Sequence, residues 1–320
     1  MATGHSSFDR IASTTLQNHG KEIFDAVSTN NALLSALKRN GNIKIVSGGR
    51  QFTHPIIYNT NSSFAAYGKL DTITTPLADN ITRALYDVKI VAGSIVLSTF
   101  EEAQNAGDRE QLIKLSVEAK NNAEISLSEV MGDQVFKSGA VANDFDGLQG
   151  IINEDMDTEC GGITASAANA YWRPYSYDTV VSAFNSSSAG LTAFDTVLNN
   201  TTFGRMGPRL VITTKAIFQL YHIGLTSNVR YTTLEVGDTG FRSLAYATLP
   251  VQFDDNCPTG NAYFIDTENL WLQLLAKGNF KVTDFEYSHD QLMKVALMYV
   301  FGNLTTGSRR TNGVIDSITG

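Results

Sequence analysis

Apolar positions along this 320-residue chain recur first at helical and then at strand spacing, and the switches of period divide it into segments. In "HGKEIFDAVSTNNALLSALKRNG", Ile23, Phe24 and Val27, then Leu33, Leu34 and Leu37, fall on helical spacing, and Lys38, Arg39 and Gly41 form a helix end. From Asn42 onward the chain is rich in Thr, Ile, Val and Tyr, broken by Gly48-Gly49, by residues 59–63 and by Gly68, which reads as two long strands with an irregular polar tip. Legs of about twenty residues at roughly 3.3 Å each make a hairpin on the order of 65 Å long, which must project from its domain. Two strands alone bury too little to offset their ordering entropy. Phe52, Ile56, Ile57, Tyr58, Phe64 and Tyr67 therefore need a cover, either a neighbouring subunit or the hairpin's own domain.

Residues 100–139 read as one long helix. Asp108 stands as its cap with Gln111 three residues on, and Leu112, Ala119, Ala123, Leu127 and Val130 form its apolar stripe. Lys114/Glu118 and Lys120/Glu124 lie four apart, and Ser138-Gly139 ends it. Shorter elements follow, with helices expected at 176–186, 191–200 and 214–224 and strands at 209–213, 243–253, 261–266 and 269–275. Ser176, Thr192 and Thr214 are the expected caps. From Phe280 the strand pattern resumes, as though the chain rejoins the sheet beneath the long helix. The class is α+β, with one domain inserted in another.

A hydrophobic fraction of 42% supports a real core. The net charge of −8, from 32 acidic and 24 basic residues, excludes a protein that grips nucleic acid through a strongly basic field; DNA contact is expected to be loose. The pairs Lys38-Arg39 and Arg309-Arg310 could face phosphate, but a solvated helix end or loop is the commoner use. No stretch reads as a secretion signal or a membrane span, so a soluble, unsecreted chain is expected. Cys160 and Cys257 lack metal or redox spacing and read as free thiols.

Candidate chemistry is thin. No phosphate loop, dinucleotide fingerprint, zinc helix motif, serine elbow or EF-hand occurs. "NEDMDTE", with Glu154, Asp155, Asp157 and Glu159, has the oxygen density for calcium but not the loop grammar. His5, His19, His54, His222 and His289 are scattered. In "LPVQFDDNCPTGNAYFID", Asp254 and Asp255 would point to opposite faces of a strand, and Cys257 has no neighbouring base to lower its pKa. Pro258 and Gly260 fit a turn. No catalytic, cofactor or metal residue is assigned.

The order of four stretches resembles the HK97-fold major capsid proteins of tailed bacteriophages. "NNALLSALKRNG" into "VSGGRQFTHPI" is similar to the N-terminal arm and extended E-loop, and "LSTFEEAQNAGDREQLIKLSVEAKNNAEISLSEVMGDQVFKSG" to the spine helix of the peripheral domain. "DGLQGIIN" and "GPRLVITTKAIFQLY" resemble parts of the axial domain, as does "PVQFDDNCPTGNAYFIDTENLWLQL". The resemblance implies an arm at 1–42, E-loop hairpin at 43–95, peripheral domain at 96–145, axial domain at 146–276 and a return to the peripheral domain at 277–320. It implies an E-loop draped on a neighbour, with Phe52, Ile57, Tyr58, Phe64, Tyr67 and Lys69 as expected intersubunit contacts. Some relatives cross-link an E-loop lysine to an asparagine; Lys69 and Asn303 are the nearest counterparts, without the matching glutamate.

The function so implied is a non-enzymatic shell subunit that forms pentamers and hexamers and encloses double-stranded DNA. Scaffolding, portal and decoration proteins are its further partners, no membrane is involved, and its place is the virion capsid, assembled in the host cytoplasm. The rivals are an encapsulin-like nanocompartment and a metal- or thiol-dependent hydrolase using Asp254, Asp255, His222 and Cys257.

Overall fold

The computed structural model describes residues 31–61, 63–73, 79–100, 109–178, 189–226, 243–247 and 249–319. The expected helix around Ile23 and the Asp108 cap lie outside these residues, as do the side chains of Leu112 and Lys114.

The first described element is helix α1 (Ala32–Arg39). At eight residues it is too short to persist alone, and it is held by the buried side chains of Leu33, Leu34 and Leu37. Gly41, at φ +70°, ends it as expected, with the Asn42 N–H donating to Leu37 O. Strands β1 (Ile43–Val46), β2 (Gln51–Ile57), β3 (Ile81–Asp87) and β4 (Lys89–Ser98) follow, then helix α2 (Arg109–Phe136). In α2, the half-buried Ala119 and Ala123 and the buried Leu127, Met131 and Val135 recur every fourth residue on the inner face. Val130, expected inside, is exposed.

Beyond α2 come helix α3 (Leu148–Ile151) and strands β5 (Glu159–Cys160), β6 (Ile163–Thr164) and β7 (Tyr175–Tyr177). Helix α4 (Ala189–Thr201), strand β8 (Leu210–Thr213) and helix α5 (Lys215–Thr226) precede strands β9 (Ser243–Tyr246), β10 (Leu249–Phe253), β11 (Ala262–Ile265) and β12 (Leu270–Leu275). The chain closes with β13 (Lys281–Val282), β14 (Glu286–Tyr287), β15 (Met293–Thr306) and β16 (Gly313–Ile315).

Two six-stranded sheets organise these elements. In the first, the 14-residue β15 is the common partner: β4 runs antiparallel along its first ten residues, β13 and β14 lie on its other side, and β12 continues from Gly302 to Thr306 with β1 beyond. The order of the second is β7-β16-β11-β8-β10-β9. Its strands are apolar without alternation because both faces are covered. Val211, Phe264 and Ile315 face Phe194 and Val197 of α4 and Ile217 and Tyr221 of α5, whereas Ile212, Tyr263 and Val314 face the core shared with α2.

Four sequence expectations change. Thr192 lies inside α4 and does not cap it. Ser176 caps no helix: it pairs with Val314 at a sheet edge, where β16 supplies hydrogen bonds that local preference could not foresee. The expected strand 243–253 is a hairpin, broken at Ala247 with φ +55°. The tail at 277–320 rejoins the first sheet only as far as Thr306; Gly313–Ile315 crosses to pair with β11 in the second.

Candidate assembly surface

The hairpin β2–β3 is set by alternation. Phe52, His54 and Ile56 point inward and Thr53, Pro55 and Ile57 outward, across seven residue pairs. The paired ladder spans roughly 23 Å, well short of 65 Å, because the outer ends of the two legs, β1 and β4, belong to the first sheet. The base is thus folded onto its own domain. Phe52, at 3% exposure, is a core residue and cannot be an intersubunit contact.

The base is bolted by aromatic and polar contacts. The His54 ring stacks on Trp271 at 4.8 Å, and its Nε2 lies 3.0 Å from Thr305 Oγ1 and 2.9 Å from Gln273 Nε2. Burial, then the Lys44 ammonium, lowers its pKa to about 4, so this histidine is neutral near pH 7. On the other leg, Tyr86 donates its hydroxyl to Thr306 O, and the Leu85 N–H donates to Gly161 O. Gly161 has φ +61°, and a Cβ there would lie 2.9 Å from that of Ala84, so the approach requires glycine.

Past Ile57, Tyr58 still packs its ring on Tyr171 at 5.4 Å, but the apolar side chains farther out stay exposed. Phe64 is 86% and Leu70 94% exposed, and Ile57, Ile73 and Ile81 are also exposed. Tyr58 and Tyr67 brace the loop, donating to Asp79 O and Ser63 O, and Lys69 is exposed. Large apolar side chains that face solvent together on a loop mark an interaction surface. Of the residues expected to make contacts, Ile57, Tyr58, Phe64, Tyr67 and Lys69 lie on this tip. Leu70 and Ile73, exposed on the same tip, sit among threonines and aspartate without strand alternation, so local pattern does not single them out.

The stretch with two carboxylates and a thiol has other duties. Asp254 is buried and accepts from the Ala32 N–H at 2.9 Å, the Leu33 N–H and the Asn256 N–H, so it caps α1 from 222 residues away. Burial raises its carboxyl pKa and these N–H groups draw it back. Asp255 pairs with Lys215 at 2.6 Å. Cys257 is buried, and burial pushes its thiol well up, the reverse of what a nucleophile needs.

The other sequence candidates resolve similarly. The fully buried Arg309 donates to Ile151 O, Thr158 O and Thr158 Oγ1, so its guanidinium is committed within the fold, and the exposed Arg310 lies over the Phe203 ring at 3.5 Å. In the acidic loop, Asp157 pairs with Arg173 and Glu154 accepts from Asn261. No group of metal-ligating side chains occurs among the described residues. Asn303 is fully buried, donating to Asp87 O and Asp146 Oδ2 while its Oδ1 accepts from the Asp146 and Leu304 N–H groups, so it is out of reach of a lysine on another subunit. No described helix is long and apolar enough to cross a membrane.

No family model and no curated protein matches the chain. Solved structures do. The capsid chain of cyanophage A-1(L) matches with a TM-score of 0.61 at 13% identity, covering 87% of this chain and 91% of that one. The SrpI encapsulin of Synechococcus elongatus matches at 0.56 and 10%, covering 88% of each chain, and the capsid of a native GTA particle at 0.55 and 12%, covering 89% and 90%. At these identities what is shared is the fold, and the chain has the HK97-like capsid fold.

Proposed function

We propose that this protein is a major capsid protein that self-assembles into an icosahedral shell around phage double-stranded DNA. The observation that carries the reading is the uncovered apolar tip around Phe64 and Leu70, on a fold otherwise seen here in shell subunits. Residues 43–95 act as the E-loop, 96–145 with most of 277–320 as the peripheral domain and 146–276 as the axial domain, with residues 1–42 as the arm. Pentamers and hexamers form and each tip lies on the next subunit, where burying Phe64, Leu70 and Ile73 contributes roughly 1.5–3 kcal/mol per side chain. The negative charge suits a container, since a strongly basic wall would retain its DNA. Scaffolding, portal and decoration proteins are the further partners, and assembly takes place in the host cytoplasm.

A nanocompartment is the second reading, favoured by the similarity to SrpI encapsulin. Expressing the chain, alone or with a scaffold, and inspecting it by size exclusion and negative-stain microscopy tests both. Megadalton shells are expected, and a stable monomer under every condition overturns the proposal. Shells purified from the native source separate the readings, nuclease-protected DNA marking a capsid and a stoichiometric protein cargo a nanocompartment.

A further inference from the structure

The second sheet ends in opposite charges. Arg209 opens β8, and its N–H donates to Ile265 O at the close of β11. Two clefts, of about 400 and 610 Å³, meet at this arginine. Arg39 and Asn40 of the α1 terminus line the first, and Arg205 and Met206 line the second. Arg310 lies alongside, on Phe203. Glu268, bonded to Arg209 at 2.8 Å, is the one carboxylate lining either cleft among the described residues. Arg39, Arg205 and Met206 are exposed, and neither Arg39 nor Arg205 has a carboxylate partner among the described residues. In a chain of net charge −8 this is a basic groove with an apolar contact in it.

The carboxylates gather at the other end of the same strands. Asp316 follows β16 and Asp178 follows β7, both at the Ala262 end of β11, and Glu154 is bonded to Asn261 there. Burial, then Glu154 and Asp178, raises the Asp316 carboxyl pKa, so these groups disfavour one another's charge. Exposed Asp155 adjoins them. Roughly 15 Å of strand separates the two ends, about two Debye lengths at physiological salt, so one subunit does not neutralise its own poles.

We propose that the groove of Arg39, Arg205 and Arg209 receives the Glu154, Asp155, Asp178 and Asp316 end of a second copy of this chain, head to tail. Complementary patches on opposite ends of one unit make a heterologous contact, which closes into rings when the rotation permits. Charge complementarity of this kind fixes register and partner more than it adds affinity. The inference rests on the shell reading and names one of its subunit contacts.

The test is a charge swap in the full-length chain, using exposed positions. The Arg39→Glu/Arg205→Glu and Asp155→Lys/Asp178→Lys variants should each lose roughly tenfold or more of wild-type particle yield at low salt, because like charges then meet. The chain carrying all four changes should recover. Circular dichroism and melting temperature identify variants that simply misfold, and for those Arg205→Gln and Asp178→Asn replace the reversals with smaller losses. Wild-type yield from Arg39→Glu/Arg205→Glu, or no recovery in the four-site chain, overturns the contact while leaving the shell reading intact. Unchanged assembly with lost retention of a short DNA duplex also overturns it, by assigning the groove to a polyanion. A wild-type chain that never forms particles removes the shell reading itself.

Discussion

Replacing Asp254 by alanine probes the joint between the N-terminal helix and the second sheet. The N–H groups in the first turn of α1 have no partner within the helix; Leu34 N–H is taken by the Asn31 side chain, and those of Ala32 and Leu33 by Asp254. Removing the carboxylate strands the N–H groups of the buried Ala32 and Leu33, whereas that of the exposed Asn256 can turn to water. Stranded buried donors cost about 1–3 kcal/mol, and a lost cap about 1 kcal/mol. The overlap between these contributions puts the change at about 2–4 kcal/mol. Asp254→Asn keeps an acceptor and should lose about half as much. Denaturant unfolding of the unassembled subunit measures the totals, and amide hydrogen exchange at Ala32 and Leu33 localises them. An alanine variant within about 0.5 kcal/mol of wild type, with both amides still protected, would refute the capping argument.

Further outcomes follow from other residues. Arg309→Met should destabilise the subunit by about 3–5 kcal/mol, as expected when a buried charged donor leaves several carbonyls unpaired, read by thermal unfolding. His54 is held neutral with a pKa of about 4 against 6.5 unfolded, so the unfolded chain binds the extra proton and its contribution to stability falls as pH drops from about 6.5 to 4. His54→Gln should flatten that part of the pH profile, and an unchanged slope refutes the assignment. Gly278→Ala drives a Cβ into the Phe301 ring and should cost about 1–3 kcal/mol in unfolding experiments. Deleting residues 59–68 should abolish or impair shell formation while the far-ultraviolet circular dichroism of the core persists; normal shells would defeat the tip argument.

Much of this protein was legible in one dimension. Helix α1 and its glycine stop, the long helix α2, the strand character of β8, β11 and β12 and the α+β class follow from local spacing and caps, which act over a few residues. What the sequence could not supply was partnership across distance. Phe52 and Ile57 are similar residues on one strand, yet the pleat sends the first into the core and the second outward, and only the placement of β2 against Trp271 and β12 decides which. Ser176 joins a strand because β16 passes beside it, 138 residues later. Asp254 and Asp255 are neighbours with unrelated roles, since one meets a helix terminus 222 residues away and the other a surface lysine. Local propensity is a sum over adjacent residues, and burial and charge pairing are properties of residues that only the tertiary fold makes adjacent.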